Sequence, residues 1–205
     1  MHHPIFNDVQ SPGLNLAPYD GELYWHRQFY SPQQADELFT QLNATCAWQA
    51  EEVLVYGKWH KVPRLMCWYG DEAAYYRYSG VNHQPLPWTP ELLDIKEKVQ
   101  QKCQCEFNSV LLNLYRDGQD SMGYHADDEK ELGENPLIAS LSFGAERLFK
   151  LQHKHRKISL DFMLGHGDLL VMAGTMQRHW RHTLPKTKQP KTPRINLTLR
   201  QVLAL

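Results

Sequence analysis

The chain has 205 residues, 42% of them hydrophobic, which is the usual size of one domain and enough to bury a core. The formal net charge of −1 excludes a bulk attraction of the whole chain to nucleic acid or to an anionic membrane. No apolar run approaches the roughly 20 residues of a membrane helix, and residues 1–12 lack the apolar segment of a signal peptide. We therefore expect a protein without membrane association or secretion, in the cytoplasm of a bacterium or the nucleus of a eukaryote. We also expect it to be a monomer.

Two helices are predicted in the first half of the chain. Each begins with an N-cap residue followed by proline at the first helical position, at Ser31-Pro32 and at Thr89-Pro90. Apolar residues recur at helical spacing after both starts: Ala35, Leu38, Phe39 and Leu42, then Leu92, Leu93, Ile95 and Val99. Residues 53–80 are rich in aromatic side chains and are not assigned to a helix or a strand.

From residue 107 onward, short apolar segments bounded by turn residues predict strands. The predicted strands contain Val110, Leu112 and Leu114, and then residues 138–143, 147–152, 158–164, 169–172 and 195–202. Many short strands separated by glycines are typical of an antiparallel barrel or sandwich. Helices first and strands afterwards predict an α+β fold with a β-rich second half.

A candidate metal site lies at His125-Ala126-Asp127. In an extended segment, residues i and i+2 point the same way, so this imidazole and this carboxylate can reach one ion. His179 and His182 are the candidates for a third ligand. Two histidines and one carboxylate with open positions form the ligand set of non-heme iron(II) oxygenases. An acidic surface loop is the alternative interpretation.

A candidate anion site lies on the strictly alternating segment 194–200. Arg194, Asn196, Thr198 and Arg200 share one strand face, and the residues between them are apolar. Two guanidinium groups, an amide and a hydroxyl suit a dicarboxylate, because arginine can pair bidentately with a carboxylate. The alternative is a half-exposed strand with solvated arginines. Asn113 and Tyr115 share a face in the same way.

The chain is identified as a member of a known family by several stretches that occur in a fixed order. These are Tyr56-Gly57-Lys58-Trp59-His60, Pro63-Arg64, Tyr76-Arg77-Tyr78-Ser79-Gly80, Asn113-Leu114-Tyr115, His125-Ala126-Asp127-Asp128-Glu129, residues 136–144, His166-Gly167-Asp168, residues 179–185 and residues 193–200. Together they resemble the AlkB family of Fe(II)/2-oxoglutarate-dependent nucleic-acid dealkylases, closest to its DNA-repair homologues in animals and bacteria. The resemblance runs from about Val53 to Val202.

The resemblance implies a double-stranded β-helix (jelly-roll) core, with the N-terminal helices packed on one sheet and a nucleotide-recognition lid. It implies one domain over residues 1–205, in which 1–52 form an N-terminal extension and helix, 53–84 the lid and 105–203 the catalytic core. His125, Asp127 and His182 would hold Fe(II), with 2-oxoglutarate and O2 as cosubstrates. Asn113, Tyr115, Arg194, Asn196, Thr198 and Arg200 would bind 2-oxoglutarate, with Arg194 at the distal carboxylate.

Oxidative removal of methyl groups from bases such as N1-methyladenine and N3-methylcytosine in DNA is the activity that the resemblance implies, with release of formaldehyde, succinate and CO2. Such a base must be flipped out of a duplex or presented in a single strand. The substrate contacts would be Tyr56, Gly57, Lys58, Tyr76, Arg77, Tyr78, Asp128 and Glu129. Tyr56 stands where the family has phenylalanine in a finger that fills the gap in the base stack.

One cationic run is a candidate for contact with phosphates. Residues 178–200 contain basic side chains and no acid, and Lys186 and Lys188 are the candidate phosphate contacts. Three alternatives remain open at this point. They are the same chemistry on RNA, a nucleic-acid-binding module with an inert iron site, and a hydroxylase of proteins or small molecules with the same core.

Overall fold

The computed structural model of the protein describes residues 13–55, 58–74, 76–78, 81–189 and 191–203. Its helices are α1 (Pro32–Thr45), α2 (Pro90–Cys103) and the short α3 (Met176–His179). Its strands are β1 (Glu22–His26), β2 (Gln49–Val55), β3 (Lys58–Gly70), β4 (Tyr76–Tyr78), β5 (Val81–His83), β6 (Ser109–Tyr115), β7 (Met122–His125), β8 (Ile138–Gly144), β9 (Arg147–His153), β10 (Ser159–Leu164), β11 (Leu169–Ala173), β12 (Trp180–Leu184) and β13 (Arg194–Arg200). None of the described helices combines the length and the hydrophobicity needed to cross a lipid bilayer.

Both long helices begin where the sequence predicts. Ser31 and Gln34 form a capping box at the start of α1, in which the side chain of each accepts a hydrogen bond from the backbone N–H of the other. The Thr89 hydroxyl accepts from Leu92 N–H at the start of α2. The predicted apolar face is wrong at Leu93, whose side chain is exposed.

Two sheets form the body of the molecule. The larger has seven strands in the order β1-β11-β8-β13-β6-β3-β2, and the smaller has the order β10-β9-β12-β7. The segments predicted as strands after residue 107 all form strands, with ends that agree to within two residues. This sheet-dominated architecture with few helices is a jelly-roll core.

Two apolar clusters hold the helices and the two sheets together as layers. In one, α1 and α2 pack against the seven-stranded sheet, and the alternate residues Ile195, Leu197 and Leu199 of β13 belong to this cluster. The other joins the two sheets through residues such as Leu170 and Phe162. Because strand residues alternate between faces, the polar residues of β13 face away from the helices.

Two parts of the seven-stranded sheet come from regions where the sequence predicts no strand. β1 pairs with β11 and forms one edge. β2 and β3 form a hairpin at the other edge, which fills part of the unassigned region 53–80. Only residues 65–70 of β3 also pair with β6, so residues 58–61 extend beyond the sheet in an arm paired with β2 alone.

Candidate metal and cosubstrate site

A cluster of three potential metal ligands forms where β7 and β12 lie side by side. His125 ends β7, and the residue directly opposite in β12 is His182. Asp127 follows two residues after His125, and its Oδ2 lies 3.5 Å from Nε2 of His182. The ligand atoms of all three side chains lie within 4.8 Å of one another. One antiparallel register therefore brings together side chains that are far apart in the chain.

The protonation of this cluster suits a cation. Burial acts to raise the pKa of the Asp127 carboxyl, but the adjacent guanidinium of Arg200 lowers it below its usual value, with smaller contributions from His182 and His125. Burial lowers the pKa of His182 to about 3, so its imidazole is neutral. Metal ligation requires neutral imidazoles and an ionised carboxylate. A set of two nitrogens and one oxygen fits Fe(II) with other positions left open.

Neighbouring groups orient the three ligands. Nδ1 of His125 lies 3.0 Å from the carbonyl oxygen of Gly123. A carbonyl only accepts, so Nδ1 carries the hydrogen and Nε2 keeps the lone pair that a metal needs. Gln177 is buried, and its Oε1 accepts from the backbone N–H of Asp127 at 3.0 Å. No role for Gln177 was predicted, since its contact with Asp127 depends on how α3 packs against the segment after β7.

His179, the other candidate for the third ligand, lies in a second cluster with Asp20 and His153. Nδ1 of His153 accepts from the backbone N–H groups of His155 and Arg156, at 3.1 and 3.0 Å. The ring proton therefore sits on Nε2 and points to Asp20 Oδ2, 3.0 Å away. No lone pair of His153 faces this cluster, so we interpret it as a structural hydrogen-bond network.

A cavity beside the metal cluster is lined by the six residues predicted to bind 2-oxoglutarate. They are Asn113, Tyr115, Arg194, Asn196, Thr198 and Arg200, and all six are buried. The alternative of solvated arginines is wrong, because Arg194 is 2% exposed and Arg200 is 5% exposed. The polar face of β13 therefore lines a cavity between the sheets.

Arg194 has unused hydrogen-bonding capacity toward this cavity. Its Nη2 donates to Ser142 Oγ at 2.8 Å, and its guanidinium lies 5.4 Å from the ring centroid of Tyr115. Its buried Nε has no hydrogen-bond partner among the residues that the structure describes. Burial lowers the pKa of Arg194 to about 10, which still leaves it charged at neutral pH. A buried cation with a spare donor fits an anionic ligand.

Arg64 also lines the cavity, although no role in the site was predicted for it. Its side chain is 3% exposed, and Nε donates to Asn113 Oδ1 at 2.7 Å. The resemblance includes Pro63-Arg64, but only the pairing of β3 with β6 shows which cavity the guanidinium reaches.

The structure describes only some of the residues that are predicted to bind the base. Tyr56 and Gly57 lie outside the described residues, and Lys58, Tyr76, Arg77 and Tyr78 are described only by their positions on β3 and β4. Asp128 lies near the cluster, where its Oδ2 accepts from Lys154 Nζ at 3.1 Å. Glu129 lines the cavity, and within the described part of the chain its buried Oε2 has no hydrogen-bond partner.

Comparison with known proteins gives one family. Residues 22–200 match the 2OG-Fe(II) oxygenase superfamily. The chain is 40% identical to the DNA oxidative demethylase ALKBH2 of Homo sapiens, over 98% of this chain and 78% of that protein. It is 39% identical to the alpha-ketoglutarate-dependent dioxygenase alkB homolog 3 of Bos taurus, over 85% of this chain and 64% of that protein.

The fold agrees with a solved structure of low sequence identity. OsALKBH1 superposes with a TM-score of 0.59 at 19% identity, over 87% of this chain and 96% of that chain. This likeness concerns the fold alone. With the family match, the identity to the curated relatives and the His-Asp-His cluster, the chain belongs to the AlkB family of the 2OG-Fe(II) oxygenase superfamily and is a dioxygenase that uses Fe(II), 2-oxoglutarate and O2.

Proposed function

We propose that this enzyme removes methyl groups oxidatively from N1-methyladenine- and N3-methylcytosine-type lesions in DNA. The observation that carries the proposal is the cluster of His125, Asp127 and His182 beside an arginine-lined cavity, in a chain 40% identical to a DNA oxidative demethylase.

The three clustered ligands would hold the iron, and the bound iron with 2-oxoglutarate supplies the activation of O2. Arg194 binds the distal carboxylate, because its charge is buried and its Nε has no hydrogen-bond partner among the described residues. We assign Arg200 and Asn113 to the end near the metal, and the contact of Arg200 with Asp127 supports this assignment for Arg200. Tyr115, Asn196 and Thr198 complete the polar wall. The apolar side chains Phe149 and Leu184 on the opposite sheet help to exclude water.

The reaction balances with one O2 for each methyl group. One oxygen atom enters a methyl C–H bond to give a hydroxymethyl group on the ring nitrogen, and the other enters succinate as 2-oxoglutarate loses CO2. The N–C bond then breaks, the electron pair stays on the ring nitrogen and the hydroxyl proton leaves. Formaldehyde and the unmodified base are the products.

The base reaches the site from a flipped or single-stranded nucleotide. We assign residues 53–84 to the lid over this nucleotide, with Tyr76 and Tyr78 stacking on the base and Tyr56 filling the gap in a duplex. Asp128 and Glu129 are within reach of the site because they directly follow the ligand Asp127. Lys186 and Lys188 are exposed on the loop between β12 and β13, which supports a role in binding phosphates.

Mass spectrometry of a DNA oligonucleotide with one N1-methyladenine tests the proposal. The oligonucleotide is incubated with the protein, Fe(II), 2-oxoglutarate and ascorbate, and we expect conversion to the unmodified base with one formaldehyde and one succinate per lesion. The His182→Ala variant serves as the control and should give none of these products. A matched RNA oligonucleotide separates the two nucleic acids. Repair of RNA alone would contradict the proposal, and so would the absence of product from any lesion of this type.

A further inference from the structure

Arg64 is a buried cation for which the dioxygenase reaction, as set out above, has no use. Within the described part of the chain its guanidinium forms no ion pair with a carboxylate, and its hydrogen bonds go to Asn113 Oδ1 at 2.7 Å and to the Ser121 carbonyl at 3.4 Å. Burying a charge without an ionic partner is costly. A residue kept in such a position needs a compensating anion, and the cavity that it lines is where 2-oxoglutarate would bind.

The hydrogen bond between Arg64 and Asn113 fixes which way the amide of Asn113 points. A guanidinium only donates, so the Asn113 atom that faces it must be Oδ1. The amino group Nδ2 then points elsewhere, and it forms no hydrogen bond with any described residue. Asn113 lies directly opposite Asn196 of β13, so it stands among the polar residues of the cavity.

The amide of Asn196 is held differently. Its Nδ2 donates to Ser140 Oγ at 2.9 Å and to the Leu141 carbonyl at 3.0 Å. Its Oδ1 accepts from the hydroxyl of Thr198 at 3.3 Å. The donors of Asn196 are therefore used within the protein, and those of Asn113 remain for a ligand.

Arg64 stands at the base of the arm formed by residues 58–61 of β3. The carbonyl of the preceding residue, Pro63, accepts from the N–H of Ser121 at 3.0 Å, just before β7 begins. Contacts from both Pro63 and Arg64 thus join the arm to the strand that ends in the ligand His125. Arg64 is held on two sides, which suits a residue that fixes the orientation of another side chain.

We propose that Arg64 is a positioning residue that turns the Asn113 amino group toward 2-oxoglutarate and so makes Asn113 a hydrogen-bond donor to the cosubstrate anion. The proposal rests on the proposed function, in which Asn113 and Arg194 bind this cosubstrate. In this role Arg64 acts on the cosubstrate only through Asn113.

A double-mutant cycle with binding as the readout tests this role. The affinity of 2-oxoglutarate is measured by calorimetry on Mn(II)-loaded protein, without O2 or nucleic acid. We expect Arg64→Met and Asn113→Ala each to weaken binding about tenfold, which is the usual size of one hydrogen bond to a charged group. Because Arg64 acts through Asn113, the double variant should lose little more than Asn113→Ala alone. Arg64→Lys, which keeps a charged donor, should recover part of the affinity.

Three results would overturn the inference. They are unchanged 2-oxoglutarate affinity in Arg64→Met, losses that simply multiply in the double variant, and an Mn(II) affinity that falls as much as the 2-oxoglutarate affinity. If Arg64→Met does not fold, Arg64→Gln is used in the same cycle with the same expected non-additivity. The Arg194→Met variant distinguishes a wrong assignment of the cavity from a wrong role for Arg64. If Arg194→Met also binds 2-oxoglutarate normally, the assignment of the cavity fails. If only Arg194→Met loses affinity, the cavity stands and the role of Arg64 is wrong.

Discussion

Arg200 Nη2 lies 2.6 Å from Asp127 Oδ1, and both side chains are buried. This ion pair joins the polar face of β13 to the metal cluster across the space between the two sheets. One guanidinium therefore contacts a metal ligand and also lines the cosubstrate cavity. The metal site and the cosubstrate cavity share one charged group, so a substitution in either site should alter binding at the other.

Replacing Arg200 with methionine should destabilise the metal-free protein, because the buried Asp127 carboxylate loses its ionic partner. Breaking a buried ion pair from one side usually costs about 3–5 kcal/mol, and we expect a loss of that size in the free energy of unfolding of the metal-free protein. Saturating Mn(II) should recover part of the loss, because its charge compensates Asp127 at the same place. Urea denaturation with and without Mn(II) measures both effects. A metal-free variant as stable as the wild type would contradict the interpretation, and Arg200→Lys is the charge-retaining control.

Gln177 should control metal affinity without touching the metal. Its Oε1 accepts from Asp127 N–H, so Gln177→Leu leaves that buried N–H without its acceptor and loosens the ligand. We expect the affinity for Mn(II) to fall about tenfold, which is typical of losing a residue that supports a ligand. Gln177→Glu keeps an oxygen acceptor and should retain most of the affinity. Calorimetric titration with Mn(II) measures this, and equal affinities in wild type and Gln177→Leu would rule out the role.

His182 should make the metal-free protein sensitive to acid. Burial lowers its pKa to about 3 in the folded state, against a usual value of 6.5. Between these values the unfolded chain binds a proton that the folded chain does not, so stability is lost as the pH falls below about 6.5. Each pH unit costs at most about 1.4 kcal/mol.

The His182→Leu variant removes this titration. The free energy of unfolding of the wild type relative to this variant should therefore fall by about 2–3 kcal/mol between about pH 6.5 and 4.5. Urea denaturation of both metal-free proteins at constant ionic strength measures the difference. A relative stability that stays constant over this range would show that His182 titrates normally.

Tyr56 should matter for duplex substrates more than for single strands. A finger that fills the gap left by a flipped base has no such gap to fill in a single strand. We expect Tyr56→Ala to slow the repair of N1-methyladenine in a duplex at least about tenfold, the typical effect of losing one base-stacking contact, and single-strand repair much less. Initial rates on matched substrates measure the ratio. Equal loss on both would argue against a finger.

Local sequence signals predicted the elements that depend on neighbouring residues. The caps at Ser31 and Thr89 lie within a few residues of the side chains and backbone groups that they bind. The alternation of segment 194–200 indicated a polar and an apolar face, and the structure shows both faces buried. The sequence left open whether that face was solvated, because burial on both sides depends on the second sheet.

Contacts between distant parts of the chain could not be predicted from local pattern. β1 forms because Leu23 lies opposite Met172 of β11, and nothing near residue 23 specifies that pairing. The choice between His179 and His182 came from the resemblance, and in the structure the register of β12 against β7 separates them. The roles of Arg64 and Gln177 were not predicted either, because each side chain contacts a residue in a distant part of the chain.

The sharing of one metal ion by His125, Asp127 and His182, with 2-oxoglutarate bound beside it, is tested most directly by anaerobic titration with Fe(II) and 2-oxoglutarate. The visible charge-transfer absorption of the joint complex is the readout. We predict one iron per chain in the wild type, and no such absorption in His125→Ala, Asp127→Ala or His182→Ala proteins whose circular dichroism remains native. Full absorption in any one of these variants would contradict the proposed metal site.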